Sequence, residues 1–131
     1  MKTISLETRS RFEMIDITNS VQNAVREEDM RSGICLVYTP HTTAAITINE
    51  NADPDVPRDV LAALDRAFPL SAKYRHAEGN SAAHVKSSLV GASELVIIQN
   101  GRLVLGTWQS IFFCEFDGPR TRKFLISNIA G

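Results

Sequence analysis

The run Ile111-Phe112-Phe113-Cys114-Glu115-Phe116 is apolar at nearly every position. Alternation with period two marks a strand with one wet face, whereas an unbroken apolar run marks a strand covered on both faces. A chain of 131 residues must therefore cover this strand twice over. Two sheets packed together, with helices on the outside, meet that demand. The pattern around it agrees. Lys2 to Thr8 and Phe12 to Asp16 alternate like strands, Ile34 to Thr39 and Thr43 to Asn49 form a third and fourth, and Gln109 to Phe116 and Lys123 to Ile129 close the chain. Leu95 to Gln99, Asn100-Gly101 and Leu103 to Leu105 read as a hairpin with a type I′ turn. Strands in adjacent pairs predict an α+β fold, a compact two-layer β-sandwich of largely antiparallel strands with flanking helices. Residues 1–131 read as a single domain, without repeat or linker.

Three helices fill the gaps. Asn19 with Gln22 three residues on suggests a capping box that opens a helix running to about Met30, with Val21, Ala24 and Val25 inward and Gly33 as its stop. Asp53-Pro54 reads as N-cap and first helical residue of a helix through Leu61, Leu64 and Phe68. Asn80 to Val90 forms the third, closed by Gly91.

Charge and cysteine content narrow the partners. Lys and Arg total 14 against 15 Asp and Glu, for a net charge of −1. No basic run offers a nucleic-acid footprint. No apolar stretch is long enough to span a membrane. Cys35 and Cys114 stand 79 positions apart, each within an apolar run. They read as buried thiols of a reducing compartment, so the expected location is cytoplasmic.

Chemistry-bearing residues are few. The histidines are His41, His76 and His84, and gathered together they would supply three ligands to zinc or magnesium with a position left open. Glu50 and Asn51, between a strand and a helix, are not needed for capping and are free for ligand or metal contacts. Arg120 and Arg122 follow the turn Asp117-Gly118-Pro119, and paired guanidinium donors suit a small carboxylate or phosphate, with an ordinary polar turn holding a Glu115–arginine pair as the equal alternative. Trp108, the single tryptophan, offers a stacking face beside Gln109, with core packing as its ordinary alternative. These residues leave several readings open: an enzyme acting on a small phosphorylated substrate, a metal-dependent hydrolase or lyase, or a non-enzymatic ligand-binding module.

The order of motifs is more specific than any one of them. His41-Thr42-Thr43-Ala44, Asn49-Glu50-Asn51-Ala52-Asp53, Asn80 with His84, Gly101 followed by Gly106-Thr107-Trp108-Gln109, and Glu115-Phe116-Asp117-Gly118-Pro119-Arg120 span the chain. Together they resemble the YjbQ-like family, whose members are described as secondary thiamine-phosphate synthases. The resemblance implies a homotrimer with sites near subunit interfaces. It implies joining of hydroxymethylpyrimidine diphosphate to a thiazole phosphate, with release of pyrophosphate. It marks His41, Glu50 and Arg120 as catalytic. It marks Thr42, Thr43, Asn51, Asn80, Trp108, Gln109 and Arg122 as substrate-binding, with a metal at the histidines sharing the diphosphate charge.

Overall fold

A computed structural model describes residues 1–131. The elements in chain order are β1 (Lys2–Glu7), β2 (Glu13–Asp16), α1 (Thr18–Glu27), β3 (Ser32–Tyr38), β4 (Ala44–Glu50), α2 (Asp55–Ala67), α3 (Ser81–Val90), β5 (Ser93–Gln99), β6 (Arg102–Leu103), β7 (Gln109–Glu115) and β8 (Thr121–Ala130). They form a five-stranded sheet in the order β1-β8-β3-β5-β6 and a three-stranded sheet in the order β2-β7-β4. Every pairing is antiparallel.

The double covering expected of Ile111–Phe116 is present on β7. Ile111 and Phe113 face the other sheet, in a core with Val37, Val96, Phe124 and Ile126. Phe112, Cys114 and Phe116 point the other way, against Ala83, Leu61 and Leu64 of the helices. Both cysteines are free and buried. Burial pushes the Cys114 thiol up to about 12, and burial with the nearby Glu28 charge pushes Cys35 up to about 11.

Three local expectations shift. α1 begins at Thr18, so Asn19 lies inside its first turn. The capping contact comes from Asp16, whose carboxylate accepts the Thr18 N–H at 2.9 Å. Gln22 is drawn away from any capping box by the β5–β6 hairpin, where its amide donates to Gly101 O and accepts from Leu103 N. Pro54 precedes α2 as its N-cap residue, and the Asp53 carboxylate accepts the Asp55 N–H. Gly33 does not stop a helix: it sits within β3, opposite Ala130.

The connections at one end of the sandwich set up everything that follows. β1 to β2, β3 to β4 and β7 to β8 each pass from one sheet to the other. The three crossings are residues 8–12, 39–43 and 116–120, and they converge because Glu13 and Ala44 both lie opposite Glu115 in the smaller sheet.

Gly33 gives the sharpest test of this packing. A Cβ there would fall 2.0 Å from the backbone oxygen of Ile129, which the β3–β8 ladder cannot move. Gly33→Ala is expected to lower unfolding stability by about 3 kcal/mol or more, read from the urea midpoint. An unchanged midpoint would mean that β3 and β8 separate at this position without cost.

Candidate functional site

At the converging crossings the Glu115 side chain is wholly buried, and so is Arg122. An unpaired buried charge is costly, so the two must satisfy each other. They do. Glu115 Oε1 accepts from Arg122 Nε at 2.8 Å and from the Thr8 hydroxyl at 2.7 Å. Oε2 accepts from Arg122 Nη2 and from the Asp117 amide. Arg122 Nη2 also donates to the hydroxyl and carbonyl oxygen of Thr43. One carboxylate and one guanidinium thus tie Thr8, Thr43 and Asp117, one residue from each crossing. Burial alone would raise the Glu115 carboxyl, but hydrogen bonds from Arg122, Asp117 and Thr8, with the Arg122 charge, outweigh it and hold it below the usual carboxylate range.

Next to this buried pair is a charged rim. Asp117, mostly buried, accepts from Arg120 Nη2 at 2.9 Å and from Asn80 Nδ2 at 3.0 Å, and lies 3.7 Å from Arg11. Arg120 Nε also donates to the Asp117 carbonyl. The side chains of Arg11 and Arg120 remain 48% and 49% exposed, against 2% for Arg122. The guanidinium groups facing solvent are therefore Arg120 and Arg11. Arg122, expected to bind substrate, is spent inside the fold; its role is to hold the rim in place. The turn is fixed by Gly118, whose amide donates to the Arg11 carbonyl. A Cβ at Gly118 would lie 2.3 Å from Ser10 O.

His41 sits on the same rim, its Nε2 accepting the Lys123 N–H at 3.0 Å. Thr42 beside it is exposed, while Thr43 is buried against Arg122. The structure thus brings His41, Thr42, Thr43, Asn80, Arg120 and Arg122 to one end of the sandwich.

The other expected residues lie elsewhere. Glu50 pairs with Gln109 at the far end of β4 and β7, six positions from Glu115, or roughly 20 Å of strand. There Asn51 donates to Asp16 at 2.9 Å, and Gln109 accepts the Gly106 N–H at 2.8 Å. Trp108 is 63% exposed, so it is no core residue. Burial raises the Asp16 carboxyl less than its hydrogen bonds from Thr18, Asn51 and Ser110 lower it, and the net direction is down.

The three histidines do not gather. His76 and His84 meet edge to face with ring centroids 5.3 Å apart, and His76 Nε2 lies 3.6 Å from Glu78. His41 Nε2 is already committed to the Lys123 amide. No group of three His, Cys, Asp or Glu side chains within the chain is placed to hold a metal. The expected trio therefore does not fit a shared metal in one chain. His84 instead lines an open, largely apolar groove of about 470 Å³ with Phe68, Val85, Ser88 and Leu89.

Sequence reasoning overlooked Thr8, Arg11 and Asp117 as parts of the site. A signal existed for the network as a whole: Glu115 is a charge inside an otherwise apolar run, and such a charge needs a buried partner.

Comparison with known proteins places this arrangement. Residues 2–131 match the model of a family described as UPF0047 protein YjbQ-like. The UPF0047 protein YugU of Bacillus subtilis is 59% identical over 127 residues, covering 96% of each chain. A UPF0047 protein of Methanocaldococcus jannaschii is 51% identical over 124 residues, covering 95% of this chain and 90% of that one. A crystal structure of a YjbQ/UPF0047 family protein from Clostridium acetobutylicum superposes with a TM-score of 0.97 at 55% identity, covering 98% of this chain and all of that one. One from Sulfolobus solfataricus, a YbjQ-like protein of unknown function, gives 0.95 at 33% identity, covering 99% and 96%.

The buried pair makes stability depend on pH in a definite sense. A carboxyl held below its unfolded value contributes stability that is complete above about pH 4.3 and is lost as pH falls through the folded value. Glu115→Ala leaves Arg122 buried and unpaired, and is expected to cost about 3–5 kcal/mol. The acid-side loss of stability should shrink in that variant, as measured by urea unfolding at a series of pH values. A variant with wild-type stability would show that the pair does not hold the crossings.

Proposed function

The chain belongs to the YjbQ-like UPF0047 family, and from that membership and the geometry of its arginine turn we propose that it is a transferase of the thiamine-phosphate synthase kind. The observation that carries the reading is Arg120: half exposed, its guanidinium fixed by Asp117, and presented on a turn anchored by a buried ion pair. A pre-positioned cation beside Arg11 suits a leaving group that gains negative charge during the reaction.

The chemistry needs little else from the protein. The thiazole nitrogen attacks the methylene carbon of hydroxymethylpyrimidine diphosphate. The carbon–oxygen bond breaks, and its electron pair leaves with pyrophosphate. Arg120 and Arg11 stabilise the departing oxygens, while orientation of the two rings supplies much of the remaining acceleration. Trp108 offers a face for stacking, and Glu50 and Asn51 offer polar contacts, all at the opposite end of the sandwich.

That separation supports a homotrimer with sites at subunit boundaries. In a ring of copies, one end of a protomer meets a different end of its neighbour, so the Arg120 rim of one faces the Trp108 end of the next. The outer face of the five-stranded sheet supports the same reading. Ile34 lies between Ile97 and Ile129, Leu36 is paired with Leu95, and Tyr38 is paired with Leu125. Ile97, Ile129 and Leu95 are each 63% exposed, and no helix of the chain covers them. An apolar face of this kind is usual at a contact between proteins.

Purified protein given the two phosphorylated substrates is expected to form thiamine phosphate, and Arg120→Ala to do so roughly 100-fold more slowly. Wild-type protein without product, or a variant with an unchanged rate, would overturn the reading. Wild type is expected to sediment at about three times the 14.5 kDa chain mass, and a Leu95→Lys, Ile97→Lys double variant as a single chain. A monomeric wild type would remove the shared site.

A further inference from the structure

His41 occupies an unusual place at the end of a strand. β3 ends at Tyr38, opposite Leu125 of β8. Two residues earlier on β8, Lys123 pairs with Ser5 of β1 on one side and has no strand partner on the other. Side chains take the place of the missing strand. The Thr39 hydroxyl donates to the Lys123 carbonyl at 3.2 Å, and His41 Nε2 accepts the Lys123 N–H at 3.0 Å.

This contact determines the state of the ring. An imidazole nitrogen that accepts an amide N–H carries no proton, so the single proton of the neutral ring sits on Nδ1. Protonating Nε2 would turn two donors toward each other and break the strand-end contact. The surroundings work in the same direction. Burial and the positive charges of Arg122, Lys123 and Arg120 disfavour the imidazolium, opposed by Glu115, and the net direction is down. Nδ1 meets no acceptor within the chain and is not sealed from solvent.

We propose that His41 is a neutral Nδ1–H donor to the anionic part of the substrate, and that it neither transfers a proton nor ligates a metal through Nε2. The donor role rests on the anion-binding reading of the Arg120 rim. An N–H held in the anion site by a backbone contact keeps its hydrogen across the neutral pH range. Activity that depends on it therefore acquires no pH limb from His41. The ring corrects the expectation of a shared metal with His76 and His84, because a neutral ring with Nε2 engaged and Nδ1 protonated has no lone pair to offer.

Long-range proton–nitrogen correlation spectra of ¹⁵N-labelled protein test the assignment directly. The His41 ring is expected to show Nε2 unprotonated and Nδ1 protonated, unchanged between about pH 8 and about pH 6. A ring that titrates near the ordinary value of about 6.5, or one protonated at Nε2, overturns it. Calorimetry with pyrophosphate tests the donor. Binding should weaken roughly tenfold in His41→Ala. His41→Asn should recover part of the loss, because its amide places N–H near the Nδ1 position. Arg120→Ala serves as the positive control for the rim. Unchanged binding in His41→Ala alongside a loss in Arg120→Ala removes His41 from the site. Wild type that shows the Nδ1–H tautomer but takes up no pyrophosphate overturns the anion reading, and the donor role with it. The exclusion of proton transfer and metal ligation would then stand. A titrating ring in protein that does bind pyrophosphate overturns the His41 assignment alone.

Discussion

The architecture depends on how three chain crossings meet at one end of a two-sheet sandwich, and the Glu115–Arg122 pair is what joins them. A hydrophobic pair at these positions would fill the same space without fixing three loops relative to one another, since apolar contacts are not directional. Here each oxygen of Glu115 takes two donors, and Arg122 reaches Thr43, so loops distant in sequence are registered to within a hydrogen bond. Two buried charges make this directional, and their mutual hydrogen bonds offset part of the desolvation cost. Arg120, Asp117 and Asn80 inherit their positions from that anchor.

The same geometry explains why a small chain can carry a site at all. β7 runs through the centre of the molecule, covered by the other sheet on one face and by α2 and α3 on the other. Its interior positions are committed to packing, which leaves only its ends for chemistry. One end holds Glu115 and the arginine turn; the other holds Gln109, Glu50 and, close by, Trp108. Rigid sheets deliver both clusters with little freedom, but they also keep them about 20 Å apart.

Much of this was legible in the sequence, for identifiable reasons. The strands were readable because burial imposes a simple period: two for β1, and none for β7, which has no wet face. The Asn100-Gly101 turn was readable because both residues take positive φ, as the residue types suggested. Long-range competition was not readable. Gln22 looked like half of a capping box because the spacing fitted, yet a hairpin about 80 residues away offers its amide both a donor and an acceptor. Gly33 resembled a helix stop because glycine commonly is one, while its cause here is the close approach of Ile129 O. Arg122 and Arg120 were indistinguishable in sequence. Arg122 lies within β8 and turns inward to Glu115, whereas Arg120 sits just before the strand, in the turn bonded to Asp117, and stays at the rim. Three scattered histidines suggested one metal site, but spacing along a chain holds no information about which sheet crossing each will occupy.

His41 shows how far a backbone requirement can limit a side chain's chemistry. A histidine in a loop among arginines invites the roles of base or ligand, because both need only a free nitrogen. The nitrogen is not free: the end of β3 leaves the Lys123 amide unpaired, and the ring completes the sheet. Once that contact is made, the remaining chemistry of the ring is a single N–H. In the proposed reading the rim offers guanidinium groups and one N–H donor to an anion. That is consistent with a reaction whose bond-breaking step releases an anion and requires no proton to be removed.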